Sequence, residues 1–296
     1  MEKSIGIVVV TYNRIALLKE VVESLRNQTC YSDCQIVVVN NGSTDETPQW
    51  LKQQDDIVTI TQENLGGSGG FYTGMNYVAS NGYEYCWIMD DDVICDNNAL
   101  EELLKAYSVE NNIGYVCSAV SGIDGSVMNV PEVDHSPSAN GYPDYYRLIE
   151  HQMIKTKSAT FVSVLFKVAT IKEMGLPYKD YFIWGDDIEY TTRISKKYPS
   201  YLACTSKVLH KRKIQGAITF ETEKDKKRLI NYFYYFRNNI NNKKLHDGFV
   251  SFLLSYLKFS LMAIKYFFTF DFRRYWILTK ALFAVLFFKS KVEYPK

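Results

Sequence analysis

Residues 85–93 read Tyr85-Cys86-Trp87-Ile88-Met89-Asp90-Asp91-Asp92-Val93, an apolar and aromatic run that ends in three consecutive carboxylates. A run of this length and bulk predicts a buried strand. Side chains alternate along a strand, so Asp90 and Asp92 are expected on one side and Asp91 on the other. Two same-facing carboxylates offer oxygen ligands to one hard cation, Mg or Mn. The competing reading is an acidic turn that only caps a helix starting near Asn97. The triplet alone leaves both open, and the rest of the chain weighs between them.

Upstream, residues 5–10 form a β-branched apolar run that ends in Thr11-Tyr12-Asn13-Arg14. Leu17, Leu18, Val21, Val22 and Leu25 then recur at helical spacing. Residues 36–39 repeat the buried-strand signal before Asn40-Asn41-Gly42-Ser43-Thr44-Asp45, which completes a βαβ unit. Ser43 and Glu46 have capping-box spacing for a helix through Trp50 and Leu51. Residues 57–60 read as a third strand, followed by a glycine loop, Glu63-Asn64-Leu65-Gly66-Gly67-Ser68-Gly69-Gly70-Phe71, that opens another helix. The loop lacks the GK[ST] of a Walker motif and does not follow the first strand, which disfavours both common nucleotide fingerprints. Its glycines would let backbone N–H groups approach a phosphate, and a flexible connector is the alternative. Alternating strands and helices imply an α/β fold with a mostly parallel central sheet and ligands at the strands' carboxyl ends.

Downstream, residues 99–107 read as a helix, 115–120 as a strand, 131–146 as an irregular loop, 159–166 as a buried strand and 167–174 as a short helix. A second acidic cluster follows in Trp184-Gly185-Asp186-Asp187-Ile188-Glu189, at the start of a helix. Helix capping explains one carboxylate there well and three within four residues poorly. Residues 201–203 read as a brief strand ahead of His210, a possible nitrogen ligand for Mn beside carboxylates.

Composition bounds the function. The chain has 296 residues, 47% hydrophobic, and a formal net charge of +1, so no field exists for wrapping nucleic acid. Six cysteines show no CxxC pair and the start has no signal-peptide layout, so reduced cytosolic thiols are expected. The 23 tyrosines and 17 phenylalanines crowd toward the last third, where apolar residues 249–270 are interrupted by Lys258 and Lys265. Ser251, Ser255, Lys258 and Lys265 fall on one helical stripe, which favours an in-plane helix on a membrane surface. Arg273 and Arg274 set off residues 275–288, a run too short to cross a hydrocarbon core of roughly twenty residues. Packing of both helices on the catalytic body or on a second subunit is the alternative.

Taken in order, these motifs resemble the inverting family-two glycosyltransferases of GT-A fold, over about residues 4–240, and most of all their galactofuranosyltransferases. The resemblance implies that Thr11, Arg14 and Asn41 border the nucleoside. Asn64, Gly66, Gly67, Gly69 and Gly70 would lie beside the diphosphate or donor sugar, with Asp91 in the same donor-binding set. Asp90, Asp92 and His210 would hold a divalent metal, Mn or Mg. Asp187 would be the general base, with Trp184 and Asp186 facing the acceptor. Displacing a nucleoside diphosphate needs a cation, one base and no enzyme nucleophile, and the chain shows no nucleophile motif.

Three functions are therefore carried forward. One is transfer of galactofuranose from UDP-galactofuranose to a lipid-linked or glycan acceptor at the cytoplasmic face of the cell membrane. The others are rhamnosyl transfer from dTDP-rhamnose, and an inactive membrane-associated partner protein. The expected layout is a catalytic domain at 1–222, divided into a nucleotide-sugar half (1–118) and an acceptor half (119–222), and a helical, membrane-associating region at 223–296.

Overall fold

A computed structural model describes residues 3–212 and 219–296. The first half is a run of β1 (Ile5–Thr11), α1 (Ile15–Arg26), β2 (Cys34–Asn40), α2 (Thr47–Leu51), β3 (Ile57–Thr61), α3 (Gly66–Ser80) and β4 (Tyr85–Asp90). It continues through β5 (Val93–Cys95), α4 (Ala99–Val109), β6 (Val116–Gly122), β7 (Val127–Met128), β8 (Glu132–Val133), β9 (Met153–Ser158) and β10 (Val164–Lys167). After α5 (Val168–Met174), α6 (Asp186–Ser195) and β11 (Tyr201–His210) come α7 (Lys226–Phe268) and α8 (Phe272–Phe287).

The sheet order is β3-β2-β1-β4-β10-β6-β11-β9-β8, with the first four strands parallel. Their register aligns Thr11 with Asn40 and Asn40 with Thr61, while Val10 pairs with Asp90, so four carboxyl ends stand level at one edge. β10 runs antiparallel between β4 and β6. Valine and isoleucine on both faces of β1 and β2 are buried, one set under α1 and α4, the other under α3 and α5.

Several local expectations are corrected. The glycine stretch is the first turn of α3 and not a loop before it. A Cβ on Gly70 would lie 2.3 Å from Val10 Cγ1, and one on Gly74 would lie 2.2 Å from Val8 Cγ1, so these positions let α3 lie directly on β1. Ser43 and Glu46 do not form a capping box: Ser43 Oγ accepts from the Asn13 N–H, and Asp45 caps Thr47 instead. The strand expected at 159–166 is confined to β10, because Ala159 is tied through its N–H and carbonyl to Thr191 Oγ1 of α6. β11 runs for 10 residues, with an irregularity between Ala203 and Lys207 that hides its length from a periodicity reading.

α7 reverses direction at Gly248 (φ 86, ψ 179). In an unbroken helix Phe236 and Phe259 would stand about 34 Å apart, yet their ring centroids are 4.8 Å apart. The two arms, residues 226–247 and 249–268, therefore form a hairpin, and α8 packs on it around Phe220, Phe236, Phe259, Leu278 and Leu282. Past α8 the chain returns to the α/β body. Glu293 accepts the Leu176 N–H on its carbonyl and binds the Tyr72 hydroxyl and Lys179 through its carboxylate.

Candidate active site

Pairing of β11 with β5 builds the acidic centre. β5 follows the Asp triplet, and its antiparallel register sets His210 opposite Val93, while the Lys211 N–H donates to the Asp92 carbonyl at 2.7 Å. His210 Nε2 thereby reaches 3.0 Å from Asp92 Oδ1. Asp90, Asp92 and His210 each offer a ligand atom, and these atoms lie within 4.8 Å of one another. The strand ends at Asp90, so alternation does not carry through the triplet: Arg14 spans to both neighbours, at 3.1 Å from Asp91 Oδ1 and 2.8 Å from Asp92 Oδ2.

The charges here are poorly balanced without a further cation. Burial, then the charges of Asp92 and Asp91, hold the Asp90 carboxyl well above its ordinary value. Burial also raises Asp91, to about 6, against the pull of Arg14 and Thr11. Burial works to raise Asp92 as well, but His210 and Arg14 outweigh it and hold that group low. Asp92 Oδ1 is buried with no aligned hydrogen-bond donor among the described residues, despite the nearby imidazole. His210 Nδ1 lies 2.9 Å from Asn129 Oδ1, and in the tautomer that donates there, Nε2 turns a lone pair toward Asp92. Two carboxylates and one imidazole nitrogen, oriented by an outer amide, fit a Mn or Mg ion.

The donor-binding set divides in two. Thr11, Asn41 and Asp91 are buried and their polar atoms are used within the protein. Thr11 Oγ1 donates to Asp91 Oδ2 at 2.7 Å. Asn41 Nδ2 donates to Gly66 O and Asn64 Oδ1, while Asn41 Oδ1 accepts from Gln62 Nε2 and the Leu65 N–H, which fills its hydrogen-bonding capacity. The side-chain hydrogen bonds of Thr11 and Asn41 are thus made within the protein, at the carboxyl ends of β1 and β2. Gly69 fits close under the Leu65 side chain, and Gly66 (φ +74) faces the Phe182 carbonyl, where a Cβ would come within 2.0 Å. Around Gly67 there is open space, and Arg14 and Asn64 are exposed at the cleft.

The second acidic cluster lies near enough to the first for the charge of Asp187 to contribute to raising Asp90. Asp187 is half-buried in the first turn of α6, and its carboxyl is pushed up to about 6 by the surrounding protein, against backbone N–H groups that favour the ionised form. Asp186 is buried outright, beside Ser68 of α3, and is raised to about 8 by burial and then by Asp187. Trp184, two residues earlier, is half-buried, with Tyr232 at 5.1 Å and Tyr235 at 6.4 Å between ring centroids. Trp184 (φ 61) and Phe182 (φ 65, ψ −60) occupy backbone regions that cost non-glycine residues on the order of 1–3 kcal/mol each.

Asn129 and the buried amides Asn238, Asn241 and Asn242 escaped the sequence reading. A signal for the last three was present: four asparagines within residues 238–242, poor helix formers in the interior of a helix, need partners outside it.

Nucleotide-type strands with acidic ligands at the end of β4 define the GT-A class of sugar transferases. The family model described as glycosyl transferase family 2 matches residues 6–170, and the chain belongs to that family and is a glycosyltransferase. Galactofuranosyltransferase GlfT1 of Mycobacterium tuberculosis (strain ATCC 25618 / H37Rv) is 28% identical over 213 residues, covering 69% of this chain and 68% of that one. GlfT1 of Mycolicibacterium smegmatis is 24% identical over 216 residues, with 69% of each chain covered. Among solved structures, S. aureus TarS 1-349 superposes with a TM-score of 0.56 at 16% identity, over 88% of this chain and 73% of that one. GalNAc-T7 with UDP, GalNAc and Mn2+ gives 0.56 at 14% identity, over 83% of this chain and 55% of that one. These two likenesses concern the fold.

Proposed function

We propose that the protein transfers galactofuranose, with inversion, from UDP-galactofuranose to a lipid-linked or glycan acceptor of a bacterial surface polysaccharide. The observation that carries the reaction type is the Asp90, Asp92 and His210 group with Asp187 near enough for its charge to act on Asp90. The sugar follows from the relatives named galactofuranosyltransferase. Asp187 takes the proton of an acceptor hydroxyl as that oxygen bonds to the anomeric carbon and the bond to the diphosphate breaks. A divalent ion held by Asp90, Asp92 and His210 would supply charge neutralisation for the diphosphate. Arg14 and the open turn at Gly67 border the phosphates, and Trp184 offers a ring face to the acceptor sugar.

The test is a panel of sugar nucleotides in Mn buffer, read first as thermal stabilisation and then as transfer. UDP-galactofuranose is expected to raise Tm most, since a ligand stabilises the native state by RT ln(1 + [L]/Kd). A larger rise with dTDP-rhamnose would replace this donor assignment, and stabilisation without turnover of any donor would favour the inactive-partner reading.

We further assign residues 249–288 to the cytoplasmic membrane surface. Among the described residues α7 is the one helix long and apolar enough, by length and composition, to cross a membrane. Its second arm packs Phe259, Ala263 and Tyr266 inward and leaves Leu253, Leu254, Leu257, Leu261 and Ile264 exposed, with Lys258 and Lys265 at the edge of that arc. At 100° per residue these five residues cover an apolar arc of about 100° of the helix. Leu254 and Leu261, 62% and 67% exposed, have no packing role to lose. Replacing both with Glu is expected to leave Tm unchanged and to cut sedimentation with anionic vesicles roughly a hundredfold, from about 1.5 kcal/mol per leucine at the low end. Unchanged binding, or retention of the parent protein on membranes after alkaline washing, would remove the in-plane assignment.

A further inference from the structure

The segment from residues 180 to 185 is built against backbone preference. Phe182 closes a γ-turn of the rare positive-φ kind, in which the Ile183 N–H donates to the Tyr181 carbonyl at 2.8 Å. Trp184 (φ 61) and Gly185 (φ 93) follow in the left-handed region and lead straight into α6, where Asp187 sits. Such a path persists only where neighbours over-determine it.

Those neighbours lie on the first arm of α7. Asn238 Nδ2 fans its two hydrogens over the carbonyls of Tyr181 (3.0 Å), Ile183 (3.2 Å) and Trp184 (2.7 Å). Asn242 Nδ2 donates to the Gly185 carbonyl at 2.8 Å, and its Oδ1 accepts the Tyr181 hydroxyl at 2.6 Å. That hydroxyl also accepts from Asn241 Nδ2. Arg237 holds Asn238 Oδ1 through Nε, which fixes the amide's orientation, and donates to the carbonyls of Asp180 and Tyr181. Every carbonyl from residue 180 to 185 except that of Phe182 is thus held from α7, and the Phe182 carbonyl accepts the Ser68 N–H of α3.

We propose that Asn238 and Asn242 are positioning residues, which hold the strained 181–185 turn in the one shape that presents Trp184 and aims the start of α6 at the acidic centre. The proposal rests on the transferase reading above. It makes the first arm of α7 part of the catalytic apparatus, although the apolar second arm of the same helix faces outward. The shape of an amide matters here: two N–H donors on one nitrogen and one oxygen acceptor, which alanine lacks altogether.

The experiment uses the full-length chain with Asn238→Ala, Asn242→Ala and, as a control on the same arm, Asn239→Ala. Hydrogen exchange of peptides covering residues 180–190 is measured beside UDP binding in Mn buffer and turnover of UDP-galactofuranose. Asn238→Ala and Asn242→Ala are expected to speed exchange at 182–188 roughly tenfold and to lower turnover by about as much or more, with exchange in β1 to β4 unchanged. Affinity for UDP should stay within about threefold, so that kcat and the acceptor KM move while donor binding does not. Asn239→Ala should match the parent protein. Unchanged exchange at 182–188 overturns the proposal, as does faster exchange throughout the sheet with loss of UDP binding, which would mark a purely structural role. If the parent protein does not turn over UDP-galactofuranose, the donor assignment fails on its own, and local exchange with UDP binding still decides whether the turn is held from α7.

Discussion

Asp187→Asn is expected to lower turnover by about 10²–10⁴ while leaving the affinity for UDP in Mn buffer near that of the parent protein. An amide keeps the shape of the side chain and its contact with the Ile188 N–H, so α6 should form as before. What it loses is the basic oxygen. With its carboxyl at about 6, Asp187 is mostly ionised at neutral pH, and a raised carboxyl is a stronger base than an ordinary one. Turnover should therefore fall on the acid side with an apparent pKa near 6, because protonation removes the base as pH drops through that value. Asp186, raised to about 8, shares that titration, so the limb belongs to the pair. Asp186→Asn should cost far less, since a buried carboxyl that is largely protonated at neutral pH is already close to an amide in charge. Near-normal turnover in Asp187→Asn, or its loss together with UDP binding, would remove the base assignment.

Legibility in the sequence followed what each residue answers to. Residues 5–10 and 36–39 are apolar on both faces, so their burial could be read without knowing what covers them, and β1 and β2 lie where expected. β9 (Met153–Ser158) lies toward the sheet edge and mixes Lys155 and Lys157 with buried Met153, Thr156 and Ser158, which leaves no such apolar run. The acidic centre was legible because Asp90, Asp92 and His210 are costly to gather for any structural purpose. The local roles of Asn41 and Asp91 were less legible for the opposite reason. A polar residue at a strand end can serve a ligand or its own loop, and only three-dimensional hydrogen bonding shows that Asn41 is filled by Gln62, Asn64, Leu65 and Gly66. Support for the 181–185 turn was hidden by distance, since Asn238 lies 54 residues from Trp184 along the chain.

Chelation of divalent ions is expected to weaken UDP binding at least about tenfold, and Asp92→Asn should do the same in Mn buffer, as one unit of charge is lost from a buried site. The acidic centre explains the direction. Asp90, Asp91 and Asp92 gather around a single guanidinium, Arg14, and a diphosphate brought to that edge would add like charge to an already strained balance. Asn129 gives the sharper test, because it touches no ligand. Its side-chain oxygen, 2.9 Å from His210 Nδ1, fixes which ring nitrogen faces Asp92, and partners of this kind typically contribute 10–100-fold to metal affinity. Asn129→Ala should therefore weaken Mn binding by roughly that range when free Mn is followed by its paramagnetic resonance signal without nucleotide present. His210→Ala should weaken it at least as much, and the two changes combined should cost little more than His210→Ala alone, because the amide acts through the imidazole. Full additivity of the two would detach Asn129 from the site, and UDP that binds equally well with and without chelator would remove the metal from Asp90 and Asp92.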